Sequence, residues 1–312
     1  LAGLLQIGRI DLQLQVPIGP SSIELGRHRR TDAALFVDEA RLARSGLNRL
    51  ALVSPGLITL GDLFLDAGGS LALTSGTGLV VDGNVQASGA KVSLRTQQQP
   101  GLRPALTVKA GSRIDTQGGW VNDSAVLDAA TAAAPRFING GEVTLDAEGD
   151  LTLEAGSLID VGAGALLGAD GTLTAGRAGS IRLATVADEA EAIETLLVLN
   201  GELRGYGLDA GGSLTLVAPA FTLGTEALAQ EVLLAPEFFR SGGFAAYALN
   251  AESVQSLSDS PLIRVAAGSA ISLDPEVLQP DQRMFSAPTG TDIDAFASRT
   301  RLPAAQRAAT HL

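Results

Sequence analysis

The chain has 312 residues, and 34 Asp and Glu against 22 Lys and Arg give it a formal net charge of −12 at pH 7. The absence of cysteine excludes a disulfide scaffold and a cysteine-ligated metal site, and the acidity disfavours binding to nucleic acid or to an anionic membrane. With 46% hydrophobic residues but only 4% aromatic ones and 37 glycines, the composition indicates an ordered, aliphatic fold rich in turns.

The sequence opens on Leu1-Ala2-Gly3, without an initiator methionine or a basic-then-apolar signal segment. We therefore expect the chain to be a piece excised from a longer protein. No stretch approaches the roughly 20 apolar residues of a membrane span. The lack of cysteine is compatible with export through an oxidising compartment.

Residues 32–45 interrupt the strand-like pattern near the N-terminus. Their composition suits a short amphipathic helix, but their flanks at residues 35–37 and 50–53 are apolar runs. These flanks favour a strand–turn–strand interpretation.

Two repeated motifs follow along the chain. A glycine pair leading into an alternating strand occurs as GGSLAL from Gly68, GGEVTL from Gly140 and GGSLTL from Gly211, at two nearly equal intervals. An alternating strand running into Ala-Gly-Ser starts at Leu106, Leu151 and Ile263. A repeat of about 22–24 residues would make each interval between glycine pairs three turns of a solenoid, and the intervals of the second motif two and five turns.

The strict period of two within each motif indicates half-buried strands, with Leu, Val and Ile on one side. Such strands could form the hairpins of a sandwich or barrel, but the Asn-Gly hairpin signal occurs only at Asn139-Gly140 and Asn200-Gly201. The pattern therefore predicts an all-β chain folded as a right-handed parallel β-helix (β-solenoid). About 13–14 coils stacked about 4.8 Å apart would give a rod of roughly 60–70 Å.

Residues 122–135 and 187–195 depart from the repeat and are expected to be short insertions into a β-helical shaft spanning residues 1–272. Residues 273–312 carry four prolines and lose the glycine–strand rhythm. We expect them to form a short irregular C-terminal tail, acting as a cap or linker, because the open strand edges of a solenoid need cover.

The Gly-Ser-Leu-x-Leu coils, and especially FFRSGGFAAYALNA from Phe238 followed by IRVAAGSAISLDP, resemble the filamentous haemagglutinin-like exoproteins of bacterial two-partner secretion. The resemblance covers most of the chain. It implies the shaft of a secreted or surface-displayed adhesin, exported through an outer-membrane β-barrel partner and presented to host or neighbouring cells. The Asn-Pro-Asn-Gly-type secretion motifs of that family are missing here, so the chain corresponds to shaft and not to the export signal.

β-Helices also include polysaccharide lyases and hydrolases, so a carbohydrate-active enzyme is the alternative hypothesis. The Asn-Thr-Asp, Asp-Asp and Gly-His-Gly set typical of polygalacturonases is absent from the sequence. Arg301-Leu302-Pro303 with Arg307 nearly matches the Arg-x-Pro-x-x-Arg strand of pectate lyases, but the spacing is too long by one position. We therefore predict no catalytic residues, no cofactor and no metal, since a fold alone does not supply a site.

Other candidate residues have structural explanations that we prefer. We interpret His28 and His311 as surface histidines, and Asp146, Glu148 and Asp150 as a solvated acidic edge, because the order of these acids does not match a calcium loop. Trp120 could anchor a sugar, but a lone tryptophan beside an inserted loop more often covers a gap in the core.

The aromatic residues Phe238, Phe239, Phe244 and Tyr247 are clustered in the sequence. They indicate either a packing plug under a lateral excursion of the chain or a protein-contact patch, since aromatic residues are enriched at interfaces. If they form a patch, the chain would also be a specific binding module.

Overall fold

The computed structural model describes residues 5–6, 9–15, 22–28, 35–44, 47–97, 99, 101–124, 137–185, 195–226, 231–252 and 263–301. Within these ranges the fold is nearly all β. The exceptions are the helix α1 (Glu39–Arg44) and three short 3-10 helices, Pro236–Arg240, Gln282–Ser286 and Ile293–Ala295. None of the described helices is long and apolar enough to cross a membrane.

The strands of the first half are β1 (Leu5–Gln6), β2 (Arg9–Gln15), β3 (Ile23–Gly26), β4 (Leu35–Asp38), β5 (Leu47–Ser54), β6 (Ile58–Leu60), β7 (Leu63–Phe64), β8 (Ser70–Ser75), β9 (Leu79–Val81), β10 (Asn84–Gln86), β11 (Lys91–Thr96), β12 (Leu106–Val108), β13 (Arg113–Asp115) and β14 (Trp120–Asn122). Those of the second half are β15 (Glu142–Ala147), β16 (Leu151–Leu153), β17 (Leu158–Asp160), β18 (Ala165–Leu167), β19 (Leu173–Ala175), β20 (Ser180–Thr185), β21 (Leu197–Leu199), β22 (Glu202–Arg204), β23 (Ser213–Ala218), β24 (Phe221–Leu223), β25 (Val232–Leu234), β26 (Ala246–Ala251), β27 (Ile263–Val265), β28 (Glu276–Pro280) and β29 (Ala297–Arg301).

Three stacked sheets form the walls of a parallel β-helix, as the sequence predicts. The first sheet has the order β1-β2-β5-β8-β11-β15-β20-β23-β26, the second β21-β16-β12-β9-β6-β3-β4, and the third β22-β17-β13-β10-β7. Each regular coil contributes one strand to each sheet, for example β8, β9 and β10 in succession. Among the described strand pairs only β1–β2, β18–β19 and β28–β29 are antiparallel. The handedness of the coil stays a prediction.

The predicted coil count is wrong for the part of the chain that the structure describes. The first sheet contains eight parallel strands, β2 to β26, and their successive steps span about 34 Å at about 4.8 Å each. Regular coils run from Arg49 to Ser70 and from Ser70 to Lys91, which are register partners.

Insertions lengthen other coils and explain the miscount. Leu106 pairs with Leu151 across a single step, so this interval is one coil instead of the predicted two. Along the first sheet, Ser70 pairs with Lys91 and Lys91 pairs with Glu142. Glu142 in turn pairs with Ser180, and Ser180 pairs with Ser213. Each interval between the glycine pairs is therefore two coils instead of three.

Aliphatic side chains stacked in register fill the interior. In the first sheet one inward column runs through Leu71, Val92, Val143, Ile181 and Leu214, all at most 1% exposed. Period-two strands place such residues on one face, and a column of this kind needs no aromatic ring. This explains how a chain with so few aromatic residues still builds a continuous core.

The predicted glycine turns bring backbone segments of neighbouring coils into close approach. Gly68 and Gly89 occupy equivalent turns with φ of 72° and 64°, the left-handed region that favours glycine. At Gly179 a Cβ atom would lie 1.8 Å from the carbonyl oxygen of Gly141 in the preceding coil. A side chain at that turn would therefore push two coils apart.

At the N-terminal end, the favoured strand–turn–strand interpretation of residues 32–45 is confirmed for its flanking strands, β4 and β5. The connection contains α1, so the short helix is present as well. The central residues of both predicted insertions, 125–135 and 187–194, lie outside the described residues.

Residues 276–301, which we call the C-terminal strap, lack the coil repeat. The part of the predicted irregular tail that the structure describes contains an antiparallel hairpin of β28 and β29 with two 3-10 helices between them. The strap packs against the flank of the β-helix: Leu278 N–H donates to the carbonyl of Gly207, and Gly290 N–H donates to that of Trp120. The strap therefore contacts more than one coil of the β-helix.

Candidate functional site

A pocket of about 690 Å³ opens where the third sheet ends. β22 is the last strand of that sheet. In the following coil the chain continues from β24 to β25 and then enters the 3-10 helix Pro236–Arg240, so no described strand covers the outer edge of β22. Pro236 stands at the start of that helix, where the fixed φ of proline favours the helical turn. The local sequence thus diverts the chain and leaves a gap in the wall.

About half of the residues that line the pocket are leucine or aromatic. Leucines of neighbouring coils line it together with Tyr206, which follows β22, and with two aromatic rings of the diverted chain: Leu158, Leu199, Leu203, Leu214, Tyr206, Phe238 and Phe244. Leu214 and Phe244 are at most 2% exposed, whereas Phe238 is half-buried. The gap therefore leaves Leu158, Leu199 and Phe238 partly exposed, with the buried side chains of Leu214 and Phe244 behind them.

Two charged groups stand at the mouth of the pocket, Arg299 from the strap and Glu202 from β22. The guanidinium of Arg299 lies over the ring of Tyr206, 4.4 Å from its centroid, and its Nη2 donates to Asp294 Oδ2 at 3.1 Å. Glu202 accepts two hydrogen bonds from Arg204, at 2.6 and 2.9 Å. These bonds lower the pKa of Glu202, so its carboxylate stays ionised and neutralised by Arg204.

A row of charges continues from this mouth along the third sheet. Asp115, Asp160 and Arg204 are register partners on β13, β17 and β22. Asp160 is 5% exposed and accepts from the N–H of Gly162 at 2.9 Å, and the guanidinium of Arg113 lies 3.7 Å away. Burial raises the pKa of Asp160 to about 6, with a further contribution from the charge of Asp115. Asp160 is not among the residues that line the pocket, and we treat it as a structural group.

The predicted aromatic cluster does come together in space. Phe238, Phe239 and Phe244 each lie within 5.1–6.2 Å of Tyr247, measured between ring centroids. Phe239, Phe244 and Tyr247 are at most 4% exposed, and burial raises the pKa of the Tyr247 phenol. The geometry is that of a packing plug, and of the four rings only Phe238 keeps substantial exposed surface. The protein-contact patch stays a prediction that would rest mainly on Phe238.

The acidic residues at 146–150 do not converge on one point. Asp146 lies between Arg95 and Arg182, at 3.3 and 3.4 Å, and Asp150 Oδ1 accepts from the N–H of Leu196 at 2.8 Å. Within the described part of the chain no group of three or more potential ligands is placed to hold a metal ion. We expected a solvated acidic edge, but Asp146 forms ion pairs with arginines of the two neighbouring coils.

The other candidate residues fall at separate places. His28 is exposed beside β3, whereas His311 and the positions 302–307 of the near-matching arginine motif lie outside the described residues. Arg301 lies 3.9 Å from Asp274 and 3.8 Å from Glu276. Trp120 is 2% exposed and its indole N–H donates to the carbonyl of Ala287. It covers a flank gap under the strap, in agreement with the explanation that we preferred.

A second concavity of about 580 Å³ runs along the glycine turns that precede the first sheet. Its wall is mainly backbone of the stacked glycines, with Lys91 and Glu142 paired at 2.7 Å. The close approach of the coils at these glycines explains the groove without a ligand.

Sequence reasoning did not find the pocket beside β22. Tyr206 and Arg299 lie far apart in the sequence and belong to no repeated motif. One signal was available: the sequence FFRSGG from Phe238 interrupts the strand rhythm, which indicates that the coil wall is broken there.

The fold defines this chain as a parallel β-helix protein with a lateral pocket and a flank-bound strap. The chain matches no protein-family model, and the searches of curated proteins and of solved structures find no similar protein.

Proposed function

We propose that the chain is a non-enzymatic structural shaft segment of a secreted or surface-displayed bacterial exoprotein, of the filamentous haemagglutinin-like adhesin type. In this role it provides reach and presents other parts of the protein. Its export partner would be an outer-membrane β-barrel, and the presented parts would meet a receptor on a host or neighbouring cell. The observation that carries the proposal is the unbroken aliphatic column of the first sheet.

The stacked column supports a mechanical role because the five coils from β5 to β22 each contribute a strand to all three sheets. Leu71, Val143 and Leu214 represent inward positions that are at most 1% exposed, and each buried aliphatic side chain contributes about 1.5–3 kcal/mol relative to an exposed one. Backbone hydrogen bonds between coils run along the same axis. Extending the rod requires breaking a whole coil interface, so the fold resists stretching.

Ion pairs also connect neighbouring coils on the outer face of the first sheet. Lys91 and Glu142 are register partners, as are Arg95 and Asp146, and the charged atoms of both pairs lie within 3.3 Å of each other. Each exposed pair is worth at most about 1 kcal/mol. Their main effect is to keep the outer face of the central strands charged and hydrated, which discourages association between rods.

A display experiment tests the shaft role. The chain is inserted between an outer-membrane anchor and a small reporter domain, and binding of cells to reporter-specific beads is measured against insertion of an equally long Gly/Ser linker. We expect the β-helix to hold the reporter beyond the surface polysaccharide, whereas the linker collapses towards a random coil. The Leu214→Asp variant should lose this advantage because it buries an unpaired charge.

Thr215→Asp is the matched control, since Thr215 is the next residue of β23 and alternates away from the core. This variant should behave as the unmodified chain. Equal bead binding by the β-helix, the linker and both variants would contradict a shaft role. Release of reducing ends or unsaturated sugars from acidic polysaccharides by the unmodified chain would instead support the carbohydrate-active alternative.

A further inference from the structure

We propose that the pocket beside β22 binds an amphipathic carboxylate, with its apolar body against Leu203 and Phe238 and its anionic head at Arg299. This site is lateral to the shaft and goes beyond the structural role proposed above. It arises from a break in the coil wall, an apolar interior behind that break, and a cation held at its mouth.

The break exposes side chains that the coil repeat would otherwise cover. Gly156 and Ser157 lie in the turn before β17, and Asn200 and Gly201 lie in the equivalent turn before β22. All four line the pocket. In the next coil the chain takes another path through the 3-10 helix Pro236–Arg240, and it returns to β22 only after the gap, where Gly205 N–H donates to Gly242 at 2.7 Å.

The interior of the gap suits an alkyl or aryl body. Leu199, Leu203 and Leu214 line it together with the rings of Phe238 and Phe244. The volume of about 690 Å³ lies in the range of about 300–1,000 Å³ that is typical of small-molecule sites. Because these side chains are hydrocarbon, the part of a ligand that packs against them gains by leaving water and not by hydrogen bonding.

The mouth of the gap selects for negative charge. Arg299 is oriented by Tyr206 and by Asp294, and among the described residues only its Nη2 makes a side-chain hydrogen bond. A guanidinium has five N–H donors, so several stay available for a carboxylate. Glu202, the other charged residue of the lining, accepts its two hydrogen bonds from Arg204 and acts on Arg299 only through its charge.

A sugar fits this lining less well. The uncharged polar side chains of the pocket, apart from the Tyr206 phenol, are Ser157, Asn200 and Ser241. Ring hydroxyl groups placed against the leucines would lose hydrogen bonds to water without replacement, which is unfavourable. A ligand with one polar end and one apolar end matches the observed division of the pocket.

Isothermal titration with decanoate, below its critical micelle concentration, tests the site, and decanol is the matched neutral ligand. We expect saturable binding of decanoate at one site per chain and at least tenfold weaker binding of decanol. Arg299→Gln should bring decanoate down to the affinity of decanol. Arg301→Gln, further along β29 and outside the pocket lining, should leave both affinities unchanged.

Because Arg299 also holds the strap, a second variant separates binding from strap integrity. Leu199→Phe adds volume to the pocket from β21, and Leu199 takes part in none of the strap contacts described above, so this variant should abolish binding of both ligands while the fluorescence of Trp120 stays unchanged. The proposal would be overturned by the absence of saturable binding or by equal affinities for decanoate and decanol. It would also be overturned by equal losses of affinity in Arg299→Gln and Arg301→Gln, or by unaltered binding in Leu199→Phe. Tighter binding of oligogalacturonate than of decanoate would contradict it as well.

Discussion

Trp120 and Phe296 come from distant parts of the sequence, yet their ring centroids are 4.6 Å apart with an interplanar angle of 55°. Trp120 belongs to β14 on the flank of the β-helix, and Phe296 precedes the last strand of the strap. With Ala165, Leu167 and Ile293 they form a second core, separate from the aliphatic columns. The strap is therefore attached by a packed interface of its own.

Replacing Phe296 with alanine should release the strap. Truncation of a buried phenylalanine costs about 3–5 kcal/mol, and Phe296 is 1% exposed. Since Trp120 is the single tryptophan of the chain, its fluorescence should shift to the red and amide exchange over residues 276–301 should accelerate. Phe285→Ala is the control, because Phe285 is a strap residue that is 50% exposed. Equal effects of the two variants would show that the second core does not hold the strap.

The inward column predicts a severe effect of charge at Leu145. This side chain is 0% exposed and is the register partner of Leu94 and Leu183. Leu145→Asp buries a carboxylate without a partner and should lower the free energy of unfolding by more than about 4 kcal/mol. Ser93→Asp, on the outer face of the adjacent strand, should change it by less than about 0.5 kcal/mol. A thermal midpoint that is unchanged in Leu145→Asp would mean that the strand faces the other way.

The close approach of neighbouring coils predicts that alanine substitution destabilises the fold at one glycine and not at another. A Cβ at Gly179 would meet the carbonyl oxygen of Gly141 at 1.8 Å, whereas at Gly119 the nearest atom is 3.5 Å away. Gly179→Ala should destabilise the fold by roughly 1–3 kcal/mol through overpacking, and Gly119→Ala should be close to neutral. Chemical denaturation of both variants measures the difference. Equal midpoints would contradict the proposed contact between the coils.

Asp160 predicts a pH dependence of stability. Its folded pKa of about 6 lies above the usual value near 3.8, so the folded state binds the proton more tightly than the unfolded chain does. Protonation of Asp160 therefore stabilises the folded state fully below about pH 4, and this stabilisation is lost as the pH rises through about 6. The loss in the free energy of unfolding is roughly 3 kcal/mol, at about 1.36 kcal/mol per pKa unit.

Denaturation of the unmodified chain and of Asp160→Asn from about pH 4 to about pH 7 tests this dependence. Asparagine keeps an acceptor for the N–H of Gly162 but does not titrate. The difference in unfolding free energy between the two proteins should therefore change across this range in favour of the asparagine variant as the pH rises. A constant difference would show that Asp160 has an ordinary pKa.

The strands were predictable because their period of two is local. Leu214, Thr215 and Leu216 alternate in succession, and β23 has the expected pattern. Register between coils was harder, because the length of an insertion does not follow from local pattern. Leu106 and Leu151 begin similar motifs, and only the structure shows that they are adjacent partners.

The strap and the pocket depend on contacts that the repeat does not encode. Phe296 and Arg299 lie in a segment without a glycine–strand rhythm, and their partners Trp120 and Tyr206 lie in different coils. Nothing local in the sequence specifies such a pairing. The four aromatic residues that are clustered in the sequence do lie together in the structure. Whether each ring is buried or exposed could not be predicted from composition, and the 0% exposure of Phe239 follows from its packing.

Pulling single molecules along the rod axis tests the central claim most directly, with the chain held at residues 9 and 251, in the first and last parallel strands of the first sheet. A shaft of stacked coils should unfold in successive steps, since each repeat contacts only its neighbours. The smallest increment should be close to one regular coil, as set by the pairing of Ser70 with Lys91, or about 70 Å of extended chain. Smooth extension at low force without steps would contradict a β-helix that bears force along its axis.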